Sequence, residues 1–241
     1  MVKTLGIVVQ AHMGSTRLPN KMMKNLCGKS VVGHVITRLK NSHRADKLII
    51  ATSNLPADDI LIEECKKYQV NFYRGSDGDV LERFYQAAKI YELTDIARVC
   101  ADNTLVDWQI IDEEIKIYQN SQYALVTCGE TVPLGLGCEI FSFELLEEAR
   151  NKATKHYQHE HVTPYIYENF SDVYKYNLQK DLKKYRFTLD TEEDWTLISK
   201  IYAELYHGDA DFLLDDVIAV MEKNSTWFDI NRNVKQKMAK D

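Results

Sequence analysis

Between residues 47 and 101 the chain switches repeatedly between two hydrophobic periods, and few folds tolerate that pattern. Runs rich in apolar residues at 47–52, 70–74 and 97–101 read as strands, and the amphipathic stretches at 58–68 and 80–91 between them read as helices. Strand, helix, strand at this rhythm implies βαβ units, and strands apolar on both faces belong in a parallel sheet covered by helices on each side. A further run at 5–10, Leu-Gly-Ile-Val-Val-Gln, is a candidate for the first strand. The fold class is therefore α/β, with a mostly parallel twisted sheet, and the 241 residues suffice for one domain spanning 1–241. Ligands of such sheets collect at the carboxyl ends of the strands.

The first strand empties into some twenty residues of irregular chain, where a βα connection usually takes about 2–6. In this loop Gly14, Ser15 and Thr16 can turn backbone N–H groups toward an anion, Arg17 offers a planar fork and Lys21 a point charge on a flexible stem. A triphosphate would suit that set. A plain surface loop with two solvated cations is the other reading. Gly28-Lys29-Ser30 is not a P-loop, because Met23 stands where the first glycine is required, and Ser30 reads as a helix cap. His34 falls inside an apolar helical pattern and reads as a packed histidine.

The third of the strands between 47 and 101 ends in Cys100-Ala101-Asp102, and a carboxylate there is costly to bury unless paired or holding a cation. Asp102 is the first candidate metal ligand, while Asp107 reads as the cap of a helix at 108–119. Further on, Thr191 and Asp194 form a capping box, which leaves Asp190 free for other work. The alternation loosens after Tyr123: strands are expected at 124–128, 139–142 and 173–178, with a helix at 143–152. Gly135-Leu136-Gly137 lacks the third glycine and the preceding strand of a dinucleotide site. His156, His159 and His161 do not share one helical face and make a poor zinc set.

A net charge of −6 argues against binding nucleic acid through a bulk field. The absence of a long apolar run argues against membrane insertion and, with five scattered cysteines lacking a Cys-x-x-Cys pair, leads us to expect a cytoplasmic protein with reduced thiols.

The order Gln10-Ala11-His12-Met13-Gly14-Ser15-Thr16-Arg17-Leu18-Pro19-Asn20-Lys21 resembles the N-terminal signature of the cytidylyltransferases, in the branch of spore coat polysaccharide biosynthesis protein F and related to the CMP-Kdo synthetases. Arg186-Phe187-Thr188-Leu189-Asp190-Thr191-Glu192-Glu193-Asp194 resembles the family's second signature. His12 stands where the branch has arginine, Asn20 where it has glycine, and Thr104 where proline is common. The resemblance implies a Rossmann-like nucleotide-diphospho-sugar transferase fold that moves CMP from CTP to a sugar acid or related acceptor for surface polysaccharide biosynthesis. It implies that Gln10, Ala11, His12, Gly14, Ser15, Arg17 and Lys21 meet the nucleotide, with Arg17 and Lys21 on its phosphates. It further implies that Asp102 and Asp190 share Mg²⁺, storing like-charge repulsion in the free site that an asparagine would relieve.

Ser76 and Arg83 are implied near the base, against the alternative that Ser76 caps a helix and Arg83 pairs with Asp79. Glu139, His161 and Arg186 are implied on the acceptor side, against a plain salt bridge for Glu139. A smaller acceptor-side segment at about 123–180 carries Tyr157, Tyr165, Tyr167, Phe170, Tyr174 and Tyr176, more aromatic surface than it can bury alone, so a homodimer is expected. Two other functions compete. Asp209-Ala210-Asp211 raises a metal-dependent glycosyltransferase, and His12 a non-catalytic nucleotide-binding module.

Overall fold

The computed structural model of the chain describes residues 3–209 and 212–237. Ala210 and Asp211 of the Asp-x-Asp triplet lie outside those residues. The chain runs from β1 (Leu5–Gln10) through a loop containing a short hairpin, β2 (Asn25–Leu26) and β3 (Lys29–Ser30), into α1 (Val31–Leu39). β4 (Lys47–Ser53), α2 (Asp59–Lys67), β5 (Asn71–Gly75), α3 (Val80–Ile90) and β6 (Asp95–Cys100) follow, and then α4 (Trp108–Gln119). The second half holds β7 (Leu125–Cys128), β8 (Glu139–Ser142), α5 (Phe143–Lys152), α6 (His156–His161), α7 (Pro164–Asn169), β9 (Val173–Tyr176), α8 (Glu192–Leu205) and α9 (Leu214–Lys223).

Seven strands form one sheet in the order β5-β4-β1-β6-β8-β7-β9. β1 lies parallel to both β4 and β6, and β4 parallel to β5. β8 is antiparallel to β6 and to β7, and β9 is parallel to β7, so β8 alone runs against the rest. The alternation of β1 decides how the two faces are filled. Leu5, Ile7 and Val9 pack with Val32, Val35 and Ile36 of α1 on one face. Val8 points the other way, into Leu81 and Phe84 of α3. A third cluster beneath α8 and α9 gathers Leu105, Phe187, Ile198, Tyr202 and Ile218.

The expected caps are present. Ser30 accepts from Gly33 N, Asp107 from Gln109 N and Ile110 N, and Thr191 from Asp194 N. The segment at 123–180 extends the main sheet with its three strands. Its aromatics find partners within the chain: Tyr165 is buried, Phe170, Tyr174 and Tyr176 pack against the three apolar clusters, and of the six only Tyr167 is exposed. They therefore lend little weight to a second copy. The five cysteines are free thiols. Among the described residues no helix is long and apolar enough to cross a membrane.

His34 is fully buried, with Nε2 2.7 Å from Leu26 O and its ring edge-on to Tyr202 and Tyr206. Burial pushes its pKa down to about 4, outweighing the bond to Leu26. The unfolded chain, with an ordinary histidine near 6.5, takes up the proton first. Stability from this site is thus complete above about pH 6.5 and falls as pH drops from there to about 4, by roughly 3 kcal/mol. A His34→Leu variant is expected to lose that part of the decline in urea melts taken between pH 7 and pH 4.

Candidate active site

The carboxyl ends of β1 and β6 open onto a cleft with two lobes. The first, about 860 Å³, is lined by Gln10, His12, Met13, Gly14, Asp58 and Arg83 among others. The second, about 580 Å³, is lined by Gln10, Arg17, Arg98, Asp102, Glu139, His161 and Asp190 among others. Gln10, the last residue of the central strand, belongs to both.

The first lobe is held open by Asp58. Its carboxylate accepts Met13 N at 2.7 Å, Thr52 Oγ1 at 2.9 Å and Ser53 Oγ at 2.6 Å, tying the loop after β1 to the end of β4. Burial raises the pKa of this carboxyl, but the donors from Ser53, Met13 and Thr52 prevail and hold it below the usual range. Ala11 is buried and continues the ladder through Ala11 N to Ala51 O, while Ser15 Oγ accepts weakly from Leu18 N at 3.4 Å. Arg83 is buried and donates from Nη1 to Ser76 O at 3.1 Å, and among the described residues its Nε has no partner. Neither alternative for the 76–83 turn holds. Asp79, not Ser76, caps α3, and Asp79 pairs with His159 at 3.0 Å rather than with Arg83. Ser76 is exposed, stands outside the first lobe's lining, and its hydroxyl accepts from Asp79 N.

The two candidate metal ligands meet at one atom. Lys21 Nζ lies 3.0 Å from Asp102 Oδ2, 3.0 Å from Asp190 Oδ1 and 2.9 Å from Leu189 O. The backbone bond from Leu189 N to Asp102 O, 2.9 Å, holds the two aspartate-bearing segments together. The repulsion expected between the carboxylates is therefore cancelled by a buried ammonium. Burial works against the charge on Lys21, yet the two aspartates raise its pKa. Burial likewise disfavours the charge on Asp190, but Lys21, Arg17 and Arg186 hold its pKa below the ordinary value. Arg17 Nη2 is 3.3 Å from Asp190 Oδ2, with its side chain one-third exposed in the cleft.

Arg186 lies behind this pair instead of on the acceptor side. It donates to Asp190 Oδ2 at 2.9 Å and to Asp194 at 2.9 and 3.1 Å, bonds Gln236 as well, and lines neither lobe. Asn231 closes the cluster with bonds to Asp194 Oδ1 and Arg186 O. Gly135 lets the neighbouring loop lie on this segment. Gly135 has φ +101°, a Cβ there would stand 2.6 Å from Thr188 N, and Leu134 O accepts from Phe187 N at 2.8 Å.

On the far wall Glu139 is engaged by the protein itself. It forms an ion pair with Arg98 and accepts from Thr163 Oγ1 at 3.0 Å and Tyr167 Oη at 2.8 Å, while Arg98 Nη2 donates to Gln10 Oε1 at 3.0 Å. The salt bridge weighed for Glu139 is thus present, and its carboxylate still lines the second lobe. His161 reaches the same lobe from the end of α6, and burial lowers its pKa. The turn that follows is strained: Val162, fully buried, has φ +69° and ψ −56°, and Thr163 N bonds His161 O at 2.8 Å across it. His156 and His159 pair elsewhere, with Glu160 and Asp79.

Three participants were not picked out from sequence. Arg98 carried a signal, a cation inside an apolar strand; Asp58 read only as a helix start. Glu114 lies beneath the second lobe, accepting from Cys138 N and Sγ at 3.2 Å, and burial pushes its pKa up to about 7.

Against known proteins, a family model described as "Cytidylyltransferase" matches residues 6–224. An uncharacterized protein of Methanocaldococcus jannaschii is 37% identical over 98% of this chain and 97% of its own. Spore coat polysaccharide biosynthesis protein SpsF of Bacillus subtilis is 31% identical over 90% of this chain and 93% of its own. The structure of a cytidylyltransferase from Leptospira borgpetersenii superposes with a TM-score of 0.89 at 32% identity, covering 98% of this chain and 100% of that one. With the two-lobed cleft at the strand ends, these matches establish that the chain belongs to the cytidylyltransferase family and is a nucleotidyltransferase.

Proposed function

We propose that the enzyme transfers CMP from CTP to a sugar acid or related acceptor, releasing pyrophosphate, as a step in surface polysaccharide biosynthesis. The observation that carries this is the joint between the lobes, where a basic loop and two carboxylates converge beside Gln10. A nucleotide in the first lobe and an acceptor in the second would meet there. The acceptor oxygen attacks the α-phosphorus as the bond to the leaving pyrophosphate breaks, so no enzyme nucleophile is needed. Gln10, Ala11, His12, Gly14 and Ser15 would hold the nucleotide from the first loop, Arg83 would close the base end, and Arg17 and Lys21 would take the phosphates. Glu139, already oriented by Arg98, and His161 would face the acceptor. Arg186 would act through Asp190, fixing its carboxylate.

The donor set fits Mg²⁺. Asp102 and Asp190 supply hard oxygens converging on one point, and magnesium is commonly held by one or two carboxylates plus substrate phosphates. When bound, the ion would neutralise charge developing on the α-phosphate.

Pyrophosphate release is the test, with CTP, UTP, GTP or ATP offered against a panel of sugar acids. Turnover is expected with CTP, and equal turnover with another nucleotide would exclude the assignment. Arg17→Ala is expected to weaken CTP binding about 10–100-fold, since one charge-assisted phosphate contact contributes roughly 1.5–3 kcal/mol. Unchanged CTP affinity by calorimetry would remove Arg17 from the phosphate site.

A further inference from the structure

Three N–H bonds are all that an ammonium has, and Lys21 directs three at the protein: at Asp102, Asp190 and Leu189 O, each 2.9–3.0 Å away. Its side chain is 7% exposed. Held this way, Lys21 has no donor left for a phosphate. It also fills the point where the carboxylates converge, and in an oxygen shell of about 3 Å. Magnesium requires oxygens at about 2.0–2.1 Å. The ammonium and the ion therefore cannot both stand where Asp102 Oδ2 and Asp190 Oδ1 converge, and one must leave that point before the other enters.

Charge makes the exchange conditional. Asp102, Asp190 and Asp194 face Arg17, Lys21 and Arg186, three negative groups against three positive ones. A divalent ion arriving alone would leave this half-buried, balanced cluster with excess positive charge, at a cost the low-dielectric surroundings magnify. A triphosphate supplies the missing negative charge and a new set of oxygens for the ammonium. Arg17, partly exposed beside Asp190, is placed to meet it first.

We infer that Lys21 is a resident cation that keeps the carboxylate pair closed to a divalent ion until the nucleotide draws its ammonium onto the phosphates, so that ion entry depends on nucleotide. This rests on the reading of Asp102 and Asp190 as ion ligands. By linkage, the ion and the nucleotide then strengthen each other's binding to the same degree.

The probe is Mn²⁺, followed by water-proton relaxation, which distinguishes ion on the protein from ion on free CTP. Wild type is expected to bind Mn²⁺ at Asp190 weakly alone and about 10-fold or more tightly with CTP, within the usual range of such coupling. Lys21→Met is expected to bind it without CTP about 10-fold more tightly than nucleotide-free wild type, and the added change Asp190→Asn is expected to abolish that gain. Should Lys21→Met fold only when Mn²⁺ is present, the melts give the same answer; should it not fold at all, the wild-type comparison decides. Nucleotide-free wild type binding Mn²⁺ at Asp190 as tightly as the CTP complex would overturn the inference while leaving the ion site standing. No Asp190-dependent Mn²⁺ binding in any protein, with or without CTP, would overturn the ion site and the inference together.

Discussion

Asp190→Asn is expected to lower turnover by several orders of magnitude and, at the same time, to destabilise the fold. The second effect follows from the geometry and reverses what two facing carboxylates alone suggest. Asp190 receives Lys21, Arg17 and Arg186, and an asparagine keeps the volume but turns an N–H₂ group toward cations. Removing one partner from a buried ionic cluster typically costs about 3–5 kcal/mol. For a chain of this size that is a fall in Tm of roughly 10 °C. Asp102→Asn should cost less stability, because among the described residues Asp102 is ion-paired with Lys21 alone and its side chain is more exposed, 25% against 11%. Its turnover should fall as far, and the double variant should be little worse, since groups acting on one centre are not additive. Calorimetric melts and pyrophosphate release separate the two effects. Near-normal turnover of Asp190→Asn in saturating Mg²⁺ would leave Asp190 as a structural anchor only.

The second large effect is expected at Arg98. Its side chain and that of Glu139 are 12% and 17% exposed, so Arg98→Met leaves a largely buried carboxylate with only the hydroxyls of Thr163 and Tyr167. The expected loss is about 3–5 kcal/mol in urea unfolding. Adding Glu139→Gln should restore at least about half of it, because no charge then remains unpaired. A single-variant loss below about 1 kcal/mol, the size of an exposed pair, would mean that solvent already screens the bridge.

Why some of this was legible and some was not comes down to range. The strands at 47–101, the caps at Ser30, Asp107 and Thr191 and the basic loop after Gln10 are local patterns, and periodicity or a three-residue spacing suffices to read them. The reversed strand β8 left no local mark of its direction: the four residues 139–142, Glu-Ile-Phe-Ser, would read alike in either sense, and only pairing with β6 on one side and β7 on the other fixes it. The resemblance implied that Asp102 and Asp190 share a site, but nothing between them in sequence shows that Lys21 stands in the middle. The resemblance implies the acceptor side for Arg186, and no local pattern shows what its guanidinium meets. Its true partners, Asp194, Asn231 and Gln236, come from a helix start and from the segment after α9. For Glu139 the sequence does not decide between sugar ligand and salt bridge, since Arg98 faces it only through strand register.

Lys21 and Asp190 are 169 positions apart, and the cluster behind Asp190 reaches a further 37 positions from Asp194 to Asn231. A growing chain thus carries its basic loop long before it receives the opposing carboxylate and, later still, the residues that brace it. Contacts of such separation form late, since the intervening loop must first be closed. A product interrupted just before residue 190 would hold the seven strands of the sheet without the carboxylate that Lys21 faces, so closure of this joint marks that two distant segments have both been made and folded together.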